Sequence, residues 1–112
     1  MIELDDDPRP PKKVRVYESD IEEYLVKQCA KHGAVAEKFK SPEKAHVPDR
    51  MVTWPDRPRH AHEITFVECK APGQKPTKAQ ARDHDRRRAL GSRVDVIDSL
   101  EGVDGYIRNM TY

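Results

Sequence analysis

Ile64-Thr65-Phe66-Val67-Glu68-Cys69-Lys70 is the stretch of this chain that decides its fold and locates its chemistry. The first four residues are β-branched or aromatic, which is typical of a buried strand. Residues i and i+2 of a strand share a face, so Glu68 and Lys70 point to one side and Cys69 to the other. Charges at the end of an apolar strand are costly unless they are paired or bind a metal. The stretch therefore predicts either an ordinary ion pair or a metal site.

Two aspartates that each follow a proline, Asp49 and Asp56, are candidates for a second carboxylate. Residues 51–54 favour a short strand, and residues 55–59 favour the turn after it because their two prolines cannot lie in a central strand. Asp56 would then lie at the turn tip, about 20 Å or more from Glu68 at about 3.3 Å per strand residue. We therefore expect Asp56 to be a turn residue and Asp49 to be the partner of Glu68.

An antiparallel hairpin would set the position of Asp49. If Trp54 lies opposite His62, Asp49 lies opposite Val67, one place from Glu68. Two carboxylates this close can hold a hard cation such as Mg²⁺ through oxygen, and the cation can polarise a phosphate and lower the pKa of a bound water. A neighbouring lysine can position that water or stabilise the charge that builds on the phosphate. The pattern indicates a metal-dependent phosphodiesterase site.

Length and composition indicate one small intracellular domain. The chain has 112 residues, of which 36% are hydrophobic and 37% are charged, so its core is lean and a partner subunit could add stability. Cys29 and Cys69, without a CxxC motif or a signal peptide, favour reduced thiols in a cytoplasmic setting over a disulfide framework. The histidines form no zinc pattern with them. No apolar run approaches the roughly 20 residues of a membrane span.

The net charge of +1 conceals a segregation along the chain. Residues 1–23 hold eight acids and four bases, a balance of −4, whereas residues 70–93 hold eight bases and two acids, a balance of +6. A basic block just after a phosphodiesterase site suits a nucleic-acid backbone. A solvated helix face, with Asp83 spaced to pair with Arg86 and Arg87, explains the block equally well. The candidates for DNA contact are Lys75, Lys78, Arg82 and Arg86.

Turn residues and hydrophobic period predict the element order α, three strands, α, strand in one domain over residues 17–112, after an acidic, proline-rich arm over residues 1–16. Ser19 and Glu22 have the spacing of a capping box, and apolar residues recur every four positions after it. The predicted elements are a helix from Ser19 to near Gly33, strands over 34–39, 49–54 and 61–70, a helix from Thr77 to about Leu90 stopped by Gly91, a strand over 94–97, and a closing helix or loop over 101–109.

Several blocks of sequence between about residues 18 and 105 together carry a resemblance to a known family. The blocks are Glu18-Ser19-Asp20-Ile21-Glu22, Lys38-Phe39-Lys40-Ser41-Pro42, Val47-Pro48-Asp49-Arg50, Phe66-Val67-Glu68-Cys69-Lys70-Ala71-Pro72-Gly73, Gln80, and Val94-Asp95-Val96. In this order they resemble the virus-type replication-repair nuclease (VRR-NUC) family of the PD-(D/E)xK nuclease superfamily. The resemblance implies an α/β fold with a restriction-endonuclease-like core, in which a mixed sheet is flanked by helices.

Carried over onto this chain, the resemblance implies a cofactor and its ligands. Asp49 and Glu68 would hold one or two Mg²⁺ or Mn²⁺ ions, with the backbone carbonyl of Cys69 as a further oxygen ligand. Lys70 would be the catalytic lysine. The side chain of Cys69 would take no part.

Two helix residues complete the implied site. Glu22 matches a helix glutamate at its edge, and Gln80 matches a helix glutamine that helps to order it. Each has a second interpretation, because Glu22 could close a capping box with Ser19 and Gln80 could close one with Thr77. One position departs from the family: it usually has glycine two residues before the Pro-Asp, where this chain has His46.

The resemblance also implies the reaction, hydrolysis of a DNA phosphodiester that leaves a 5′-phosphate and a 3′-hydroxyl. Small stand-alone members of the family resemble structure-selective endonucleases that act as homodimers, and two sites on a twofold axis suit a four-way junction. We therefore expect a homodimeric Holliday-junction resolvase of DNA recombination, repair or replication, in a bacterial or phage-infected cell. A flap or nicking endonuclease is the alternative with the same chemistry, and a non-catalytic nucleic-acid-binding module is the alternative without it.

Overall fold

A computed structural model describes residues 15–56 and 63–112. The predicted element order is confirmed within them, and the closing segment is a helix. Of the predicted arm over residues 1–16, only Arg15 and Val16 are described, and residues 57–62 of the predicted turn and third strand lie outside the described residues. In chain order the elements are helix α1 (Glu18–Lys31), strands β1 (Val35–Lys38), β2 (Arg50–Trp54) and β3 (Glu63–Cys69), helix α2 (Lys78–Ala89), strand β4 (Arg93–Ile97) and helix α3 (Leu100–Thr111).

Within the described residues, four strands form one mixed sheet in the order β1-β2-β3-β4. The pairs β1–β2 and β2–β3 are antiparallel, whereas β4 is parallel to β3 and is reached through α2. A parallel pair requires a crossover of this kind, usually a helix. The helices α1 and α2 end as predicted, because Gly33 (φ +80°) and Gly91 (φ +100°) follow their last turns in the left-handed region. The α/β fold with a mixed sheet flanked by helices is confirmed.

The register of the β2–β3 hairpin differs by one residue from the prediction. Trp54 pairs with Glu63 rather than with His62, and Arg50 pairs with Val67. The residue before Arg50, Asp49, therefore lies level with Glu68 itself. Register in a hairpin depends on the length and shape of its connection, and residues 55–62 carry two prolines whose path the composition did not specify.

The face of the sheet covered by α1 and α3 carries the hydrophobic core. Ile21, Leu25 and Cys29, spaced four apart on α1, are fully buried there. The one tryptophan is satisfied inside the core, since Trp54 Nε1–H donates to Tyr106 Oη at 3.0 Å. The sheet and α3 supply the other large core residues, which are Val52, Val67, Cys69, Ile97, Val103, Ile107 and Met110.

The start of α1 is not the predicted capping box. The N-cap is Tyr17, and the backbone N–H of Tyr17 donates to Asp20 Oδ2 at 2.9 Å. Val16 packs against the core just before the helix, which fixes where the chain enters it. The predicted pairing of Ser19 with Glu22 is therefore wrong, and Glu22 is left available for other contacts.

The opposite face of the sheet, under α2, is held by charged and aromatic side chains. Asp83 and His84 are the buried residues of α2, and Asp83 accepts hydrogen bonds from Arg86 at 2.6 Å and Arg87 at 2.7 Å. The Arg87 guanidinium lies 5.2 Å and 5.0 Å from the ring centroids of two aromatic residues, Phe39 and Phe66. The predicted pairing of Asp83 is confirmed, but the carboxylate is buried rather than solvated.

Candidate active site

Glu68 and Lys70 meet on the α2 side of the sheet, at the end of β3. Their alternate neighbours on β3 face the α1 and α3 core, so the two charged side chains point away from it. Lys70 Nζ lies 3.3 Å from Glu68 Oε2, as the i, i+2 spacing predicts. Glu68 is 2% exposed, so it forms a buried ion pair rather than a surface one.

Asp49 is anchored to two strands through different atoms. Its carbonyl oxygen accepts the backbone N–H of Phe39 at 2.9 Å, beside β1. Its carboxylate oxygen Oδ2 accepts the backbone N–H of Cys69 at 2.8 Å, on β3. The Asp49 carboxylate is thereby fixed beside Cys69, the residue between Glu68 and Lys70 in the sequence. Asp56, the other aspartate of a Pro-Asp pair, is exposed beyond the opposite end of β2.

The loop that leads to Asp49 keeps a glycine-like conformation without a glycine. His46 has a φ of +68°, the one positive value outside glycine among the described residues. Side chains with a Cβ rarely adopt this region, although histidine does so more often than most. The backbone path is therefore the one that glycine would favour, and His46 adopts it at some cost in conformational strain.

Gln80 links the cap of α2 to the site. Its side-chain oxygen accepts the Thr77 backbone N–H at 2.9 Å, and its backbone N–H donates to Thr77 Oγ1 at 3.1 Å, which completes the predicted capping box. The same Oε1 accepts from Lys70 Nζ at 2.9 Å, while Gln80 Nε2 lies 3.4 Å from Glu68 Oε2. Gln80 thus closes the capping box and also contacts Lys70 and Glu68.

Glu22 pairs with two basic side chains and takes no part in the cap of α1. Its Oε2 accepts from Lys38 Nζ at 3.0 Å and from Arg50 Nε at 2.7 Å. Burial by itself would raise the pKa of Glu22, but these two hydrogen bonds and charges outweigh it and lower the pKa. Glu22 therefore stays ionised and orients Arg50, the residue next to Asp49.

The electrostatics of Glu68 fit a bound cation. Burial, and then the nearby charge of Asp49, raise the pKa of Glu68 to about 7 in spite of Lys70. Its other oxygen, Oε1, is buried and has no hydrogen-bond partner among the described residues. A hard divalent ion would neutralise both carboxylates and satisfy such an oxygen, so the donor set fits Mg²⁺ or Mn²⁺. No group of three His, Cys, Asp or Glu side chains is placed to hold a metal in the described ranges.

Cys69 turns its side chain away from the site. The thiol is buried in the core, and burial with the neighbouring carboxylates raises its pKa well above the ordinary value. It has no thiolate with which to bind a metal near neutral pH. Only the backbone of Cys69 can serve the site, through the N–H that holds Asp49 and through its carbonyl.

The sequence analysis missed one residue, His84. It is 1% exposed on α2, and its Nε2 lies 3.9 Å from Glu68 Oε1. The signal was present in the spacing, because His84 follows Gln80 by four residues and so shares its face of the helix. The charged residues around it made that face look solvated.

The basic residues of the block differ in what they contact. Arg87 is half-buried against Asp83 as described above, whereas Arg88 is exposed and its Nη2 donates to the carbonyl oxygen of Val94 at 2.8 Å. The four candidates for DNA contact are all exposed, although Arg86 is also paired with Asp83. These four are Lys75, Lys78, Arg82 and Arg86.

Comparisons with known proteins add a sequence relative and a solved structure. The chain is 49% identical over 86 residues to "Putative nuclease p44" of Acyrthosiphon pisum secondary endosymbiont phage 1, which covers 77% of this chain and 87% of that relative. It also superposes on a solved structure described as "VRR_NUC domain" with a TM-score of 0.72 and 30% identity, covering 85% of this chain and 97% of that one. No protein-family model matches the chain. In the parts of the chain that the structure describes, no helix has the length and apolarity to cross a membrane.

Proposed function

This chain belongs to the VRR-NUC family of nucleases, and from that premise we propose that it is a Mg²⁺- or Mn²⁺-dependent DNA endonuclease. The observation that carries the proposal is the convergence of a buried carboxylate, a second carboxylate and a lysine at the end of one strand pair. Glu68 is buried with one oxygen unsatisfied, Asp49 is fixed beside it, and Lys70 contacts it. A structural ion pair would need neither the second carboxylate nor the unsatisfied oxygen.

Each residue of the site then has a role in phosphodiester hydrolysis. Asp49 and Glu68 would hold the ion, with the backbone carbonyl of Cys69 as a third oxygen. An ion bound there would supply Lewis-acid polarisation of the phosphate and an activated water. Lys70, held by Gln80 at 2.9 Å, would orient the attacking water or stabilise the charge on the phosphate.

Two further residues would support this set. Gln80 connects the catalytic lysine to the rigid first turn of α2, so the lysine is held in place before substrate arrives. Glu22 would act at the edge of the site through Arg50, which lies next to Asp49 in the chain. Residues 17–112 would form the catalytic domain.

DNA would bind across the α2 side of the sheet, where exposed basic side chains lie close in sequence to the site. Lys75 lies just before α2, Lys78 is the first residue of the helix, and Arg82 follows one turn later. Phosphate contacts of this kind give affinity and register without reading base sequence. A structure-selective enzyme needs only such contacts.

For the substrate we propose a four-way junction cut by a homodimer. Two copies of a small domain on a twofold axis would place one site at each of two symmetry-related strands. The lean core of the chain also favours a partner subunit. The phage origin of the relative is in keeping with a role in recombination or replication in the cytoplasm of an infected bacterium.

The test is cleavage of labelled junction, flap, nicked and linear duplex DNA, with Mg²⁺, with Mn²⁺ and with EDTA. Asp49→Asn and Lys70→Met keep the shape of each side chain and should each lower the cleavage rate by about 10²-fold or more. Asp56→Asn, at the other Pro-Asp pair, is the matched control and should cut at the wild-type rate.

The outcomes separate the proposals. Full cleavage by Asp49→Asn or Lys70→Met overturns the site. Wild-type protein that binds the DNA panel and cuts none of it is a binding module. Preferential cutting of flaps or nicks by a monomer overturns the junction substrate and leaves the chemistry standing.

A further inference from the structure

Two buried side-chain polar atoms lack a hydrogen-bond partner among the described residues, and they are neighbours. Glu68 Oε1 and His84 Nε2 lie 3.9 Å apart. A distance of 3.9 Å is too long for a hydrogen bond. An unsatisfied buried polar atom costs about 1–3 kcal/mol, so the structure carries two such costs at one point.

The other oxygen of Glu68 is already engaged. Oε2 lies 3.3 Å from Lys70 Nζ and 3.4 Å from Gln80 Nε2. Gln80 and His84 stand one helical turn apart on α2, so they reach the carboxylate from the same element. A shift of about 1 Å would let the imidazole donate to Oε1 and satisfy both atoms.

We propose that His84 is a positioning residue for Glu68, whose Nε2–H donates to Oε1 when the carboxylate holds the divalent ion. Gln80 and His84 would then fix the two oxygens of Glu68 from one helix. This inference rests on the proposed function, because it requires that Glu68 bind the ion. Residues that hydrogen-bond a metal ligand in this way set its orientation and commonly change metal affinity by about 10–100-fold.

The surroundings of the ring agree with a neutral donor. The ring is 1% exposed on α2, and a neutral imidazole carries a single N–H on one of its two nitrogens. Donation to Glu68 Oε1 requires that hydrogen on Nε2. A histidine that only filled space in the fold would have no requirement for either tautomer.

The experiment measures Mn²⁺ binding without DNA, by titration calorimetry, for wild type and two variants. His84→Phe fills the volume without a donor, and His84→Gln places an amide N–H near the position of Nε2. We expect His84→Phe to weaken Mn²⁺ binding by about 10-fold or more and His84→Gln to bind Mn²⁺ within about 3-fold of the wild-type affinity. Metal-free thermal unfolding should show Phe at least as stable as wild type, since it removes a buried unsatisfied atom.

A second measurement keeps the proposal testable if His84→Phe does not fold. ¹⁵N spectra of the wild-type imidazole, with and without Mg²⁺, should show Nε2 protonated in both and shifted when the ion binds. Loss of the Nε2 hydrogen on adding Mg²⁺ would overturn the proposal, because the ring would then be a direct ligand. Equal Mn²⁺ affinity of the Phe variant and wild type would overturn it as well. Wild type that binds no Mn²⁺ would instead overturn the proposed function.

Discussion

The face of the sheet under α1 and α3 is packed with aliphatic and aromatic side chains, whereas the face under α2 buries carboxylates and an imidazole beside a half-buried guanidinium. Leu25 and Val67 are typical of the first face, and Glu68, Asp83 and Arg87 of the second. Apolar burial stabilises without directional contacts, but buried charges must be paired or must hold a ligand. The first face can therefore provide the stability while the second retains unsatisfied groups for chemistry.

The largest difference between the two faces should be in stability, and it should come from truncating a side chain on the apolar face. Leu25→Ala should lower the free energy of unfolding by about 3 kcal/mol, because Leu25 is fully buried in the core and its removal leaves a cavity. Urea denaturation at low temperature measures this in the metal-free protein. Mn²⁺ affinity of the folded variant should stay at the wild-type value.

Leu90→Ala is the matched control for Leu25→Ala. Leu90 is 82% exposed at the end of α2, so the same chemical change should alter stability by less than about 0.5 kcal/mol. Comparable losses in the two variants would contradict the assignment of stability to the α1 and α3 face.

The second effect should be a gain in stability on the α2 face. The pKa of Glu68 is raised in the folded protein to about 7 from 4.5, so the folded state holds the proton more tightly than the unfolded chain does. Its stabilising contribution is fully present below about pH 4.5 and is lost as the pH rises through about 7. Glu68→Gln mimics the protonated form and should be more stable than wild type at pH 8, by on the order of 2 kcal/mol, but not at pH 4.5.

Mg²⁺ should reverse that ranking. Urea denaturation in EDTA gives the metal-free comparison, and about 10 mM Mg²⁺ gives the metal-bound one, because a ligand that binds only the folded state stabilises it more as its concentration rises above Kd. Wild type should gain stability on adding Mg²⁺, and Glu68→Gln should gain little. A Gln variant that is less stable than wild type at pH 8 in EDTA would contradict the view that Glu68 is held charged at a cost.

The element order and both helix ends near glycine were predictable, because the signals are local. Gly33, Thr77 and Gly91 act within one turn of the chain, and each lies where the sequence indicated. The hairpin register was not predictable, since it depends on the path of residues 55–62. The predicted start of α1 was wrong for a similar reason, because it depends on the packing of Val16 against the core.

In the site, what was predictable again followed distance along the chain. The contact between Glu68 and Lys70 follows from strand alternation, and that of Gln80 with Thr77 from helix capping. The partners of Glu22 come from two strands far along the chain, so its capping interpretation was wrong. His84 was missed because its burial depends on how α2 seats on the sheet, and a helix so rich in charge gives no apolar stripe to predict that seat.

The smallest effect should be on DNA affinity, and it should again differ between the two faces of the sheet. Arg82 is exposed on α2 and makes no ion pair with any described residue, so it is free to contact phosphate. Arg82→Ala should weaken junction binding about 3-fold at 0.1 M salt and reduce the slope of log K against log salt by about 1, because one phosphate contact and its counterion release are lost. Fluorescence anisotropy over a salt series, with Ca²⁺ in place of Mg²⁺ to prevent cleavage, measures both quantities.

Arg108→Ala supplies the control on the other face. Arg108 is an exposed arginine of α3, so it matches Arg82 in type and exposure but lies on the core side of the sheet. Its removal should leave both the affinity and the salt slope at wild-type values. An equal loss of slope in both variants would mean that DNA wraps around the domain. The functional difference between the two faces would then be limited to the metal site.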